Sequence, residues 1–158
     1  MGRLEDRIKA MGLELPAPFR FPKENRTGCV QVGNILYVSG HALHASPGGG
    51  VKHQGKLGAE VTIEEGAAAA RAVALSMLAT LRAHTGDLDR VRRVVRLFGM
   101  VKCAPGFTQM PKVIDGASDL FYELFGPVNG QHARSAVGMA ELPHNTPVEI
   151  NGEFEVVL

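Results

Sequence analysis

Two residues near the C-terminus, Arg134 and Glu149, have the clearest potential for chemistry in this chain. Arginine holds a carboxylate through two parallel hydrogen bonds, because its planar fork matches the two oxygens. A glutamate near a bound substrate can position water or accept a proton from it. The two residues therefore predict a site for a small carboxylate, with Glu149 as the candidate base. The alternative is a purely structural ion pair between Arg134 and a nearby carboxylate.

The residues around this pair predict a C-terminal hairpin. An apolar run follows Arg134, residues 143–147 form a turn, and polar and apolar residues alternate over 148–156. In such a hairpin Glu149 pairs near Glu141, and at ~3.3 Å per residue this position lies over ~20 Å from Arg134. We therefore expect Arg134 and Glu149 to meet only across a boundary between subunits.

Weaker candidates lie elsewhere in the chain. Ser39 and Gly40 end a predicted strand, where a hydroxyl and a backbone N–H could contact a ligand. His41 and His44 could be two metal ligands, but no third ligand stands at a suitable spacing, so we predict no metal. Cys103 has no evident partner base, and we expect a buried thiol there.

The charge of the chain gives little support for a nucleic-acid partner. There are 17 basic and 16 acidic residues, and the net charge is +1. Four arginines close together could still form an RNA-facing patch. Alternation along a strand places Arg92 and Arg96 on one side and Arg93 on the other, and no aromatic residues are interleaved, so we expect solvated or paired charges. The four are Arg90, Arg92, Arg93 and Arg96.

The pattern of apolar and turn residues predicts an α+β fold. A single mixed β-sheet should carry two helices on one face. Residues 1–27 form an N-terminal helix and a proline-rich extended segment, and residues 28–158 form the main domain. The expected elements are a helix over 3–12, a hairpin from Cys29 to Val38, a helix from Thr62 to near Gly86, a strand from Val91 to Cys103, a helix over 110–125 and the C-terminal hairpin.

The helix that begins after Thr62 has the strongest local signals. Thr62 and Glu65 form a capping box, in which each side chain bonds to the backbone of the other residue. Gly86 is suited to end the helix. Alanines along the apolar face indicate close approach to a flat partner such as a sheet.

Two helices cover only one face of the sheet, so the other face should be open. The strand from Val91 to Cys103 is apolar on both sides, which makes the open face an association surface. Identical chains usually close into a ring, and we expect a homo-oligomer. Alternation along the strand places Val94, Phe98 and Met100 on one side and Val95, Leu97 and Val101 on the other.

Nothing in the sequence predicts secretion or a membrane. Residues 1–9 are charged and lack the apolar stretch of a secretory signal. No run approaches the ~18–20 apolar residues that span a bilayer. Cys29 and Cys103 form no CxxC pair. We therefore expect a reduced, cytoplasmic protein.

Several segments together resemble the reactive intermediate deaminase family, RidA/YjgF, also known as "endoribonuclease L-PSP". The resemblance covers residues 28–157 in order. Ala117–Phe121 is similar to a segment of a longer, poorly characterised subgroup of that family. The segments that carry the resemblance are Val32–Gly40, the capped helix, the strand and helix in the middle of the chain, Ala133–Ser135, Leu142-Pro143 and Val148–Ile150.

The resemblance implies a fold similar to bacterial chorismate mutase and a homotrimer with three clefts between subunits. It also implies hydrolysis of reactive enamine or imine intermediates, such as that derived from 2-aminoacrylate, to a 2-oxo acid and ammonia without a cofactor. By position, Arg134 would bind the substrate carboxylate and Glu149 would position or activate water. The other substrate-binding residues would be Ser39, Gly40, Ser118 and Ser135.

The chain departs from the family pattern at three positions. Arg26 falls near the place of a tyrosine, His41 stands where glutamine is common, and Ala136 stands where cysteine is common. Two other functions stay open. One is a non-catalytic protein that binds small carboxylates in the same clefts. The other is an endoribonuclease, which the older family name suggests and for which nucleic acid would be the partner.

Overall fold

Three helices and five strands make up the fold in a computed structural model that describes residues 2–158. No helix in that range has the length and apolar content needed to cross a membrane. The helices are α1 (Arg3–Ala10), α2 (Ile63–Thr85) and α3 (Met110–Asn129), and the strands are β1 (Cys29–Val32), β2 (Ile35–Ala42), β3 (Val91–Lys102), β4 (Ala133–Met139) and β5 (Val148–Val156). The strands form one mixed sheet in the order β1-β2-β5-β3-β4. The predicted α+β architecture, with α2 and α3 on one face, is confirmed.

The predicted C-terminal hairpin is wrong, because β4 and β5 do not pair with each other. Strand β4 runs parallel to β3, with Arg134 opposite Leu97, and α3 supplies the crossover that parallel strands need. Strand β5 runs antiparallel to both β2 and β3 and lies between them, with Glu149 opposite Met100. This central position pairs the backbone of β5 on both sides, which a hairpin at the sheet edge would not do.

A β-bulge changes which side chains of β3 face the helices. The register between β3 and β5 shifts between Val94 and Arg96, so the alternation restarts there. Val94 is therefore buried on the helix side with Leu97, whereas Phe98 and Met100 are only partly covered on the open side. The expectation that Val94 shares a side with Phe98 and Met100 is wrong for this reason.

Helix α2 begins and ends as its sequence predicts. The Thr62 hydroxyl oxygen accepts a hydrogen bond from the Glu65 backbone N–H, and the Glu65 carboxylate accepts one from the Thr62 N–H. At the other end Gly86 adopts the left-handed conformation, with a φ of 78°, which costs a glycine little. Both devices satisfy backbone groups that the helix itself leaves unpaired.

The alanine-rich face of α2 packs against α3 as well as against the sheet. A Cβ at Gly116 of α3 would lie 2.0 Å from the carbonyl oxygen of Ala67 in α2. The two backbones therefore approach this closely only because residue 116 has no side chain. This contact sets the distance between the helices and the position of the residues on either side of Gly116.

The N-terminal helix α1 is fixed to the rest of the chain. The Asp89 carboxylate accepts hydrogen bonds from the backbone N–H groups of Arg3 and Leu4, at 2.6 and 2.8 Å. Such an acceptor satisfies donors that the first turn of a helix leaves free. Leu4 and Ile8 are buried in the same core as the sheet. The division of the chain at residue 27 stays a prediction.

The second face of the sheet is open in this chain. Val30 and Val32 of β1 and Tyr37 of β2 are exposed on it. Charged side chains lie on the same face, where Arg96 of β3 pairs with Glu153 of β5 at 2.9 Å. The open face is thus partly apolar and partly charged, and association through it stays a prediction.

Replacing Gly116 by alanine should lower the free energy of unfolding by about 1–3 kcal/mol, because the new Cβ meets backbone atoms. Gly66→Ala is the matched control, since its Cβ would meet the end of the Leu57 side chain, at 2.6 Å, and that end can rotate away. Both variants gain similar helix propensity, so their difference isolates the backbone contact. Chemical denaturation followed by circular dichroism measures it. Equal stabilities of the two variants would contradict the close helix contact.

Candidate functional site

Arg134 lies on the edge strand β4, on the face of the sheet that carries the helices. Its register partner in β3 is Leu97, which is fully buried on that side. One guanidinium nitrogen, Nη1, donates to the Asp115 carboxylate at 2.7 Å and to the Ser118 hydroxyl oxygen at 3.1 Å. Both acceptors belong to α3, so this helix holds the arginine over the start of β4.

The other edge of the Arg134 fork is free. Within residues 2–158, no hydrogen bond joins Nε or Nη2 of this side chain to another group. The same edge of Arg96 is occupied, and there Nε and Nη2 donate to the two oxygens of Glu153 at 3.0 and 2.9 Å. The Arg134 side chain is 22% exposed. It therefore presents a bidentate donor edge to an incoming carboxylate.

Two residues that sequence reasoning missed, Asp115 and His132, complete this arrangement. His132 Nδ1 lies 2.6 Å from the Gly130 carbonyl oxygen, and Nε2 lies 2.9 Å from the Ser118 hydroxyl oxygen. Asp115 and Ser118 are three positions apart, a spacing that places both on one face of a helix. That spacing is a signal by which Asp115 could be found. Nothing local in the sequence indicates that the His132 ring turns back toward α3.

Glu149 lies on β5 and faces the open side of the sheet, next to Gly40 of β2. A Cβ at residue 40 would lie 2.9 Å from Glu149 Oε2, so the carboxylate fills the space of the missing side chain. Burial raises the pKa of the Glu149 carboxyl above its ordinary value. A carboxyl shifted in this direction exchanges protons nearer to neutral pH, as a general acid or base must.

The Glu149 carboxyl lines a cavity of about 290 Å³ with aromatic walls. Phe19 stacks on His44 with ring centroids 4.2 Å apart, and His144 meets His44 edge-on at 5.6 Å. Desolvation by burial, together with the nearby His144, lowers the pKa of His44. Arg26 also lines the cavity. The segment before β1, which supplies Phe19 and Arg26, therefore forms one wall of it.

The other predicted site residues are less directly placed. Ser39 lies beside Gly40, but its hydroxyl donates to the Thr27 carbonyl oxygen at 2.6 Å. Ser135 is opposite Phe98 on the open side, so it points away from the neighbouring arginine. The roles assigned to all these residues stay predictions. The structure forms two groups, Arg134 with Ser118 and Glu149 with Gly40.

The two groups lie on opposite faces of the sheet. Arg134 is level with Leu97 of β3, and Glu149 is level with Met100, three residues further along. At ~3.3 Å per residue and ~4.8 Å per strand, the two Cα atoms are about 14 Å apart, and their side chains diverge from there. One chain therefore does not bring them together. The prediction that Arg134 and Glu149 do not meet within one chain therefore holds, although it is based on a hairpin between β4 and β5 that does not form.

The arginines of β3 are engaged with neighbouring groups. Arg92 and Arg96 pair with acidic residues of β5 on the open face. Arg93 instead donates to the Val128 carbonyl oxygen, at 3.1 Å, near the end of α3. The register between β3 and β5 shifts at Arg92 and places Arg93 opposite Glu155, so simple alternation does not hold there and the predicted separation of Arg92 and Arg96 from Arg93 stays a prediction. Paired charges account for Arg92 and Arg96.

Comparison with known proteins identifies the family that the whole chain matches. The chain matches the family described as "YjgF/chorismate mutase-like, putative endoribonuclease" over residues 5–150. Protein TCP17 of Trypanosoma cruzi is 43% identical over 155 residues, which are 98% of this chain and 95% of that protein. The match covers almost the whole chain, so it includes the segment before β1 that lines the cavity.

Two solved structures of similar proteins share the fold. The protein Atu1372 of Agrobacterium tumefaciens, described as having unknown function, is 38% identical with a TM-score of 0.86, over 98% of this chain and 92% of that one. A "putative endoribonuclease" from Shewanella oneidensis MR-1 is 34% identical with a TM-score of 0.88, over 98% of this chain and 100% of that one. The fold that the sequence resemblance implied is therefore confirmed.

Glutamine at position 149 should stabilise the folded chain at neutral pH. Burial makes the Glu149 carboxyl easier to protonate in the folded state, so its ionisation costs stability as the pH rises through its folded pKa. A glutamine amide avoids this cost. The gain from Glu149→Gln should disappear as the pH falls below 4.5, the ordinary pKa of glutamate. Urea unfolding at a series of pH values measures the difference.

Glu153→Gln is the matched control, from the same face of the same strand. It weakens the acceptor of two hydrogen bonds from Arg96, so it should destabilise the chain at neutral pH by up to ~1 kcal/mol. Equal effects of the two substitutions would contradict this explanation of the Glu149 pKa. So would a gain for Glu149→Gln that grows at low pH.

Proposed function

The chain belongs to the YjgF/chorismate mutase-like family, and we propose that it hydrolyses reactive imine or enamine intermediates of the 2-aminoacrylate and 2-iminopropionate type. The products are a 2-oxo acid and ammonia. The observation that carries the proposal is the free Nε and Nη2 edge of Arg134, which lines a surface cleft. A held carboxylate, a placed water and proton transfer are sufficient for this hydrolysis.

Arg134 is suited to hold the carboxylate that these substrates share. Asp115 and Ser118 retain its Nη1 atom while the opposite edge of the fork binds. Two parallel hydrogen bonds fix the plane of a carboxylate as well as its position. In a 2-imino acid the imine carbon, C2, is bonded directly to the carboxylate carbon. Holding the carboxylate in a fixed plane therefore also restricts the direction from which water reaches C2.

Glu149 is suited to move the protons. The carboxylate accepts a proton from water while the water oxygen bonds to C2, and it passes that proton to the imine nitrogen. It then carries the hydroxyl proton to the same nitrogen as the C–N bond breaks, which releases ammonia and leaves the 2-oxo acid. The raised pKa of Glu149 favours both transfers near neutral pH.

The proposed site needs two subunits, because Arg134 and Glu149 lie on opposite faces of one chain. In the homotrimer that the sequence resemblance implies, Arg134 of one subunit would approach Glu149 of the next. Two features support such an assembly. The outer side of β4 has no partner strand within residues 2–158, and Val30 and Val32 offer exposed apolar surface on the open face.

A carboxylate-binding protein without turnover is the second candidate, since the free edge of Arg134 supports binding by itself. Such a protein would bind 2-oxo acids saturably and release no ammonia. RNA cleavage, which the family description names, has weaker support. The arginines Arg92 and Arg96 of β3 are paired with acidic residues instead of being free for phosphates.

Arg134→Ala should remove most of the acceleration of ammonia release from freshly generated 2-iminopropionate. Loss of charge-assisted hydrogen bonds to the substrate should lower kcat/KM about 10- to 100-fold. Arg134→Lys keeps the charge but not the planar fork, so it should recover only a small part of the activity. A coupled enzymatic assay for ammonia measures these rates.

Arg71→Ala is the matched control, because Arg71 pairs with Glu123 across the helices and lines neither of the two cavities described above. This variant should keep the wild-type kcat/KM. A wild-type rate in Arg134→Ala would remove Arg134 from the mechanism. Saturable pyruvate binding without ammonia release would instead establish the carboxylate-binding alternative.

A further inference from the structure

The hydroxyl of Ser118 is held in one direction by His132. A carbonyl oxygen can only accept, so His132 Nδ1–H donates to Gly130 at 2.6 Å. With the second ring nitrogen unprotonated, Nε2 is an acceptor, and the Ser118 O–H donates to it across 2.9 Å. This leaves the Ser118 oxygen as an acceptor for Arg134 Nη1 at 3.1 Å. With the His132 proton on Nδ1 alone, each hydrogen bond in this series has a single direction.

The fold contains the same arrangement a second time, without an arginine. His41 Nδ1 lies 2.6 Å from the Ser39 carbonyl oxygen, two residues earlier, and Nε2 lies 2.7 Å from the Thr80 hydroxyl of α2. His41 and Thr80 are buried in the core. His132 likewise bonds to a carbonyl two residues earlier and to a helix hydroxyl, but it lines an open cleft of about 310 Å³. The His41 arrangement is therefore an internal control. Disrupting it should affect stability alone, whereas disrupting the His132 arrangement should also affect Arg134.

We propose that His132 is a positioning residue for Arg134 and that it acts through Ser118. This inference rests on the proposed function, in which Arg134 binds the substrate carboxylate. Asp115 supplies the charge that attracts Nη1, and Ser118 supplies the direction, because a hydroxyl whose proton is committed to His132 accepts along its remaining lone pairs. With Nη1 held by two acceptors, the guanidinium plane is fixed and the Nε and Nη2 edge keeps its direction.

Loss of His132 would release the Ser118 hydroxyl to donate elsewhere. The carboxylates of Asp115 and Asp119 line the same cleft and are the strongest acceptors within it. A hydroxyl that donates to Asp115 competes with Arg134 for that carboxylate and no longer directs Nη1. The effect should therefore appear in the affinity for the carboxylate, and so in Kd and KM, more than in kcat.

A double-mutant cycle tests this path. Ser118→Ala and His132→Phe should each weaken pyruvate binding about three- to tenfold in calorimetry, since both disable the same neutral anchor of Arg134, the Ser118 hydroxyl. The double variant should bind no more weakly than Ser118→Ala alone, because His132 acts only through the hydroxyl. His132→Gln can place an acceptor near the position of Nε2 and should restore most of the affinity.

Side-chain NMR of the free protein gives a readout that needs no ligand. The Nε–H of Arg134, assigned by its disappearance in Arg134→Lys, should be rigid in the wild type and mobile in Ser118→Ala and His132→Phe. Nitrogen chemical shifts of His132 should place the ring proton on Nδ1. Thr80→Val is the matched control. It should lower stability by leaving His41 Nε2 without its partner, and it should leave the Arg134 Nε–H rigid.

The outcomes separate this inference from the proposed function. A mobile Arg134 in Ser118→Ala and His132→Phe, in a protein that releases no ammonia, would support the positioning role and reject the deaminase. An Arg134 Nε–H that is equally rigid in the wild type, Ser118→Ala and His132→Phe would overturn the positioning role, whether or not the protein releases ammonia. Additive losses in the cycle, or a His132 proton on Nε2, would overturn it as well.

Discussion

The alternation of side chains along a strand governs how this chain can use its two reactive groups. On β5, Val148 and Ile150 face the helices and are buried, so Glu149 between them must face the open side. On β4, Arg134 shares the helix side with Leu97 of β3. A one-residue shift of β5 would turn Glu149 toward the helices only by exposing the whole buried set of that strand. Domains with a stability of ~5–15 kcal/mol do not tolerate such a loss.

Helix α3 connects the packing of the core to the arginine. Gly116 lets this helix approach α2 closely, and the two acceptors that hold Arg134, Asp115 and Ser118, lie one and two positions away from it. The helix contact thus places these anchors. The Glu149 carboxyl has different supports, namely β2, β5 and the N-terminal segment, whose Phe19 lines the same cavity. Separate parts of the fold therefore position the Arg134 guanidinium and the Glu149 carboxyl.

Elements that depend on neighbours in sequence could be predicted from the sequence. The Thr62 capping box, the Gly86 helix end and the two-residue turn between β1 and β2 are all present. Each is stabilised within a few residues of chain, so local residue types are sufficient to indicate it. The residue types of the candidate site could be identified for a similar reason, since Arg134 and Glu149 have chemistry that few other side chains offer.

Features that depend on distant parts of the chain could not be predicted in this way. The residues of β5 suit a hairpin with β4 as well as a place between β2 and β3, and the choice depends on what each partner buries. The bulge after Val94 changes which side chains of β3 face the helices, and no residue near it in the sequence indicates the bulge. The contact of His132 with Ser118 depends on where α3 lies over the sheet. The grouping of site residues on two faces follows from these tertiary choices.

Mixed oligomers of two inactive variants test most directly whether Arg134 and Glu149 act together across a subunit boundary. Arg134→Ala retains the glutamate and Glu149→Gln retains the arginine, so some boundaries in a mixed trimer contain both intact residues. Random association of equal amounts restores roughly a quarter of the sites. We expect coexpressed variants, with their composition verified by native mass spectrometry, to release ammonia from 2-iminopropionate at about that fraction of the wild-type rate. Mixed oligomers that stay inactive, although both variants fold and associate, would contradict a shared site.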